Sequence, residues 1–225
     1  MTELGKHTVI VNFKAYREVD GEAAVRLAQL CQQVSEETGA CIAVCPPAVS
    51  LAAVAAAVDI PVLSQNVDPR TPGSATGWVT PSMVKACGAV GTLINHSEHK
   101  APADTVKECV ELSRGCGLAT VVCADNVETA ACLAHFAPDF VAVEPPELIG
   151  GDISVTTANP AVVENTVESV KAVNGSVRVL CGAGVKTGKD VAAAIALGAD
   201  GVLLASGVVK AKDQRAVLLD LVSAL

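Results

Sequence analysis

The sequence is poor in aromatic residues, with three Phe, one Tyr and one Trp among 225. Its core must therefore be built from Ala, Val, Leu and Ile. Charge is also scarce, at 18% against roughly 25% in soluble proteins. High apolar content with little charge excludes a disordered chain, a collagen and a coiled coil. There is no basic run, and the formal net charge is −8. The chain thus lacks the positive stripe and the stacking residues of a nucleic-acid binder. The longest apolar stretch, Leu51 to Val58, falls far short of the ~20 residues that cross a bilayer. The N-terminal MTELGKHTVIVNFK has no basic region followed by a long apolar run, so no targeting signal is expected and the expected location is cytoplasmic.

Cysteine is not scarce. There are nine, an odd number, with no C-x-x-C pair. Neither a disulfide framework nor a zinc ribbon is indicated. On a strand, Cys41 and Cys45 of CIAVC would lie ~13 Å apart, too far to bridge. Most of the nine read as small buried residues in a reducing compartment.

Short β-branched apolar runs alternate with longer Ala-rich stretches. Strands are expected at 8–14, 41–45, 60–66, 90–95, 118–123, 139–144, 177–181 and 200–205. Near-continuous hydrophobicity suits strands buried on both faces, as in a parallel sheet. Helices are expected at 21–38, ending at Gly39, and at 102–116, with Pro102 in the first turn. Two more are expected at 159–172, with Pro160 in the first turn, and at 213–224. Eight βα units of about 28 residues each fit a compact (β/α)₈ barrel over 1–225 as one domain. A doubly wound sheet would have five or six strands and a G-x-G-x-x-G after one of them, which is missing. A chain this long buries roughly 70% of its unfolded surface and needs no disulfide or metal to fold.

In such a barrel the active site lies at the C-terminal strand ends. Strand one ends in Asn12 and Lys14, strand three in Gln65 and Asn66, strand four in Asn95, His96 and Glu98, and strand six in Glu144. Strands seven and eight end in small residues, Cys181-Gly-Ala-Gly184 and Ala205-Ser-Gly207, where backbone N–H groups can approach a phosphate. The N-terminal strand ends show no comparable set. Taken singly, Lys14 could be a rim lysine, His96 a structural histidine and Glu144 half of an ion pair. Their joint placement argues for a site. After Glu144, EPPELIGGD pairs a stiff Pro145-Pro146 entry with a Gly150-Gly151 exit, the pattern of a hinged lid. The residues alone leave open a proton-transferring isomerase, a Schiff-base aldolase using Lys14, and a non-catalytic metabolite-binding or redox-sensing barrel.

NFK at 12–14, NHSE at 95–98, VEPPELIG at 143–150, CGAG at 181–184 and LLASG at 203–207 resemble triosephosphate isomerase, most closely its short archaeal form. PGSATG at 72–77 resembles that family's intersubunit loop. The likeness runs over essentially the whole chain. It implies interconversion of dihydroxyacetone phosphate and D-glyceraldehyde 3-phosphate through an enediolate, in glycolysis and gluconeogenesis, with no metal or organic cofactor. It implies Glu144 as base, His96 as neutral electrophile, Lys14 as positive charge for enediolate and phosphate, and Asn12 as hydrogen-bond partner. The family is a well-known instance of environment-tuned acid and base groups. Phe13 and backbone groups at Ile149, Gly150, Gly184, Ala205 and Ser206 are implied in substrate binding. Glu98 is implied behind Lys14 and Asn12. Thr76 is implied to reach a neighbouring subunit, in a homo-oligomer that is at least a dimer and in the short form a tetramer. Where most members end the lid with GTG, this chain has Gly150-Gly151-Asp152.

Overall fold

The structure is a computed structural model that describes residues 4–151 and 153–225. The first three residues of the N-terminal segment and Asp152 of the lid lie outside the described residues.

Eight parallel strands form the sheet. They are β1 (Thr8–Asn12), β2 (Ile42–Cys45), β3 (Leu63–Ser64), β4 (Gly91–Ile94), β5 (Ala119–Ala124), β6 (Phe140–Val143), β7 (Arg178–Cys181) and β8 (Gly201–Leu204). Their order is β2-β1-β8-β7-β6-β5-β4-β3. One isolated parallel bridge, Val44 to Val62, joins the two ends, and the Val44 N–H donates to the Pro61 carbonyl at 3.0 Å. The barrel expected from the sequence is therefore the observed architecture.

Helices on the outside connect the strands: α1 (Glu22–Thr38), α2 (Leu51–Ala57), α3 (Pro81–Ala86), α4 (Ala103–Gly115), α5 (Val127–Ala134), α6 (Val155–Ala158), α7 (Pro160–Val173), α8 (Gly188–Ala196), α9 (Ser206–Val209) and α10 (Gln214–Val222). Helix α1 stops where expected, because Gly39 adopts φ +75° and its N–H bonds the Ser35 carbonyl. Pro102 is corrected. Its φ/ψ of −58°/150° make it the extended residue before α4, not part of the first turn. Pro160 does open α7.

Apart from β5, which matches its run in length one residue later, the strands are shorter than the apolar runs. β1 ends at Asn12 because Lys14 turns to φ +51° and leaves the ladder. β3 keeps only Leu63 and Ser64, since Pro61 has no N–H and Gln65 turns its side chain to other work.

Strand alternation divides the core into two shells. Ile10, Ala43, Cys45, Leu63, Leu93, Val121, Cys123, Phe140, Ala142, Leu180 and Leu203 fill the barrel interior. The alternate residues, such as Val9, Val11, Val44, Val122, Val141, Val179 and Val202, face the helices. On α10, Leu221 is fully buried and belongs to this outer shell, while Val217 is half-buried. The same two-residue period carries Asn12, Gln65, Asn95, Glu144 and Ala205 toward the inside at the C-terminal rim.

Candidate active site

Period-two inheritance explains why Glu144 reaches the barrel mouth: it follows Phe140 and Ala142, both interior. Its N–H donates to the Ala124 carbonyl at 2.8 Å. Its side chain is buried, and Oε2 has no hydrogen-bond partner. Burial pushes its carboxyl up to about 7. The Lys14 ammonium and a hydrogen bond from the Cys123 thiol oppose that rise, and Glu98 adds to it. Gly182 must be glycine here. A Cβ on it would stand 3.0 Å from Glu144 Oε1 and 2.7 Å from the Leu203 carbonyl oxygen.

His96 lies across from Glu144, with Nε2 3.5 Å from Oε2. The turn that aims it depends on Asn95, held at φ +63°. The Asn95 amide donates to the Cys123 carbonyl at 3.0 Å and accepts from the Ala101 N–H at 3.0 Å. The Glu98 backbone N–H donates to His96 Nδ1 at 3.2 Å. Nδ1 is thus an acceptor, so a neutral ring carries its proton on Nε2, toward Glu144. Burial lowers the His96 pKa to about 4, with Lys14 assisting and Glu98 opposing. The ring is neutral near pH 7.

Lys14 Nζ pairs with Glu98 Oε1 at 2.7 Å. Its backbone N–H donates to Asn12 Oδ1 at 3.0 Å. The amide nitrogen of Gln65 lies within reach of Asn12 Oδ1 (3.3 Å), the Lys14 carbonyl (3.0 Å) and the Cys45 carbonyl (2.9 Å). Gln65 therefore ties down the strained Lys14 turn, a role its place at a strand end hinted at but did not specify. Cys123 is a second residue that sequence reasoning missed. It hid among nine cysteines until closure brought it to Glu144.

Two clefts meet at Lys14. One, of about 680 Å³, is lined by Asn12, Lys14, Gln65, Thr76, His96 and Glu98, among others. Thr76 stands on its wall in a loop pinned at the neck, where Asp68 and Val79 exchange hydrogen bonds of 2.8 and 2.6 Å. The other cleft is lined by Lys14, Glu144, Ile149, Gly150, Gly184, Ala205 and Ser206. A Cβ at Gly184, which has φ +74°, would strike the Ile153 carbonyl, so the strand-seven turn and the segment after the lid pack backbone to backbone. The expected site residues are thereby brought together, with one exception. Phe13 lines neither cleft. Its parity turns the ring outward into the helix-facing core, where it is fully buried, and only its backbone, bonded to the Cys45 carbonyl at 3.0 Å, lies near the rim.

Among the described residues no group of three or more His, Cys, Asp or Glu could hold a metal ion, and no helix is long and apolar enough to cross a membrane. The nine cysteines are free.

A family model described as triosephosphate isomerase matches residues 7–225. Curated relatives of that name match over nearly their whole length. The protein of Methanothermus fervidus is 50% identical over 215 residues, covering 96% of this chain and 97% of the relative. That of Methanopyrus kandleri is 51% identical over 219 residues, covering 96% and 97%. That of Methanocaldococcus jannaschii is 46% identical over 214 residues, covering 95% and 98%. A barrel with this carboxylate–imidazole pair, matched from residue 7 to its last residue, belongs to the triosephosphate isomerase family.

Proposed function

We propose that Glu144, His96, Lys14 and Asn12 interconvert dihydroxyacetone phosphate and D-glyceraldehyde 3-phosphate. The observation that carries this reading is the buried Glu144 Oε2, without a partner and 3.5 Å from His96 Nε2. Ionised Glu144 takes the proton from the carbon beside the carbonyl and returns it to the neighbouring carbon. The Nε2–H of neutral His96 donates to the carbonyl oxygen as negative charge builds there. Neutral His96 can also pass protons between the two substrate oxygens: Nε2 gives its proton to one oxygen, leaving an imidazolate, and takes up the proton of the other. Lys14 offsets charge on the enediolate and the phosphate, and Asn12 holds the backbone turn that aims it.

The phosphate is assigned to the cleft with Ile149, Gly150, Gly184, Ala205 and Ser206. Small side chains there let backbone N–H groups approach an anion. A molecule of net charge −8 needs such a local reversal of field. Glu98 acts by holding Lys14. The reading extends to one barrel domain over all 225 residues, a cytoplasmic homotetramer, and Thr76 serving a neighbouring subunit.

A Schiff-base mechanism needs the Lys14 nitrogen free to attack a carbonyl carbon, and Glu98 Oε1 holds it at 2.7 Å. A thiol-based sensor at the barrel mouth needs accessible thiolates, and there burial holds the Cys123 thiol well above its usual range and raises Cys181 to about 12. A coupled assay with D-glyceraldehyde 3-phosphate tests the proposal. Glu144→Gln should lower the rate by roughly 10²–10⁴-fold; equal rates in the two proteins would remove Glu144 from the mechanism.

A further inference from the structure

The mechanism uses Lys14 from the phosphate cleft but leaves unused the one tyrosine of the chain, which lines the same cleft. Tyr16 is half-buried, and Lys210 Nζ sits 4.2 Å from the centroid of its ring. Lys210 follows directly after α9, and its backbone N–H donates to the Ser206 carbonyl at 3.1 Å. It therefore stands one helical turn from Ser206, which lines the cleft. The lysine is exposed, yet its charge is held in place by the ring face.

Three lysines contrast with it. Lys14 pairs with Glu98, Lys107 with Glu111 and Lys171 with Asp200. No carboxylate among the described residues lies within 4.0 Å of the Lys210 nitrogen. Its charge thus stands beside a cleft whose wall includes Tyr16 and Ser206, on a protein whose net charge repels anions.

We propose that Lys210, seated on Tyr16, is a specificity-determining residue that draws the doubly negative phosphate end of the substrate to the cleft and so favours phosphorylated over unphosphorylated trioses. The idea rests on the reaction proposed above. A unit charge acting on a dianion across about 10 Å of water changes affinity roughly three- to fivefold, and the effect fades as salt screens it. Arginine can keep both the charge and the seat on the ring; methionine keeps the stem and loses the charge.

The test compares wild type, Lys210→Met, Lys210→Arg and Tyr16→Leu with D-glyceraldehyde 3-phosphate and with D-glyceraldehyde, at low and high ionic strength. Lys210→Met should lose roughly three- to fivefold in kcat/KM for the phosphorylated substrate at low salt. The loss should vanish at high salt and be absent with D-glyceraldehyde. Lys210→Arg should keep wild-type values, and Tyr16→Leu should lose part of the effect. Equal losses with both substrates would mark a structural role and overturn the proposal, as would no loss or a loss indifferent to salt. Calorimetric binding of 2-phosphoglycolate reads the same charge without turnover. It should weaken by the same factor in Lys210→Met, and an unchanged Kd would overturn the proposal. Lack of turnover by wild type would instead strike at the reaction assigned to Glu144.

Discussion

The two ends of the barrel carry similar carboxylates and treat them in opposite ways. At the N-terminal end, Asp139 accepts hydrogen bonds from the backbone N–H and hydroxyl of Thr120 at 2.7 and 2.9 Å. Asp200 accepts from the Val179 N–H at 2.9 Å and faces Lys171 at 3.6 Å. Arg178 lies over the Phe140 ring, 3.7 Å from its centroid, and donates to the carbonyls of Leu4 and Gly5. The guanidinium, with Leu4 and Gly5, thus stoppers the barrel. At the C-terminal end, Glu144 Oε2 is buried without a partner. Polar groups that satisfy one another stabilise; groups kept from doing so remain available to a substrate. The expectation that the N-terminal strand ends hold no comparable polar set is therefore corrected. A set is present, with its hydrogen bonds turned inward.

This contrast can be broken from either side. The largest effect is the loss of rate in Glu144→Gln described above. The same variant should be more stable than wild type at high pH. The folded-state pKa of Glu144 is raised from 4.5 to about 7. Folding therefore favours the protonated acid, and the penalty on the ionised form grows between those values and stays constant above. Gln cannot ionise, so denaturant unfolding at pH 8 should show a gain of about 3 kcal/mol that disappears near pH 4. His96 works the other way. Its pKa is lowered from 6.5 to about 4, so folding favours the neutral ring and stability is lost as pH falls through that range. In the free enzyme, kcat/KM should decline below about pH 7 as Glu144 takes up its proton.

At the opposite end, Asp139→Ala leaves the Thr120 N–H without its acceptor. It should cost about 1–3 kcal/mol in unfolding free energy while kcat/KM stays within about twofold. A large loss of activity there would show that the two ends are not independent. Between these extremes, Gln65→Leu removes the amide that bridges Asn12, Lys14 and Cys45. A roughly tenfold fall in kcat/KM, about 1.4 kcal/mol, is expected. The acid limb of its pH profile should also move upward, because a displaced Lys14 no longer lowers the pKa of Glu144. A profile that kept its position would limit Gln65 to a structural role. The Lys210 test probes the smallest effect, a few-fold and dependent on salt.

Much of this was legible in the chain. The eight apolar runs located the strands, and a period of two determined which residues face inward. Glu144 falls in step with Phe140 and Ala142, and Asn12 with Ile10, so their place at the rim follows from local geometry. The small residues after β7 and β8 are local as well. Helix α1 was readable to its last turn because Gly39 is a local stop.

Tertiary structure alone decided how these groups meet. Gln65 and Asn12 are 53 residues apart and become neighbours only because the short β3 closes the barrel beside β2. Cys123 gains its meaning when β5 sets it against the carboxylate of the next strand. Phe13 shares a motif with Asn12 and Lys14, yet alternation sends its ring into the outer core. Residue type and period are local properties and survive in sequence. Unpaired Oε2, the 3.5 Å approach of His96 Nε2 to Glu144 and the seat of Lys210 on Tyr16 depend on distances between strands far apart in the chain, which closure of the barrel determines.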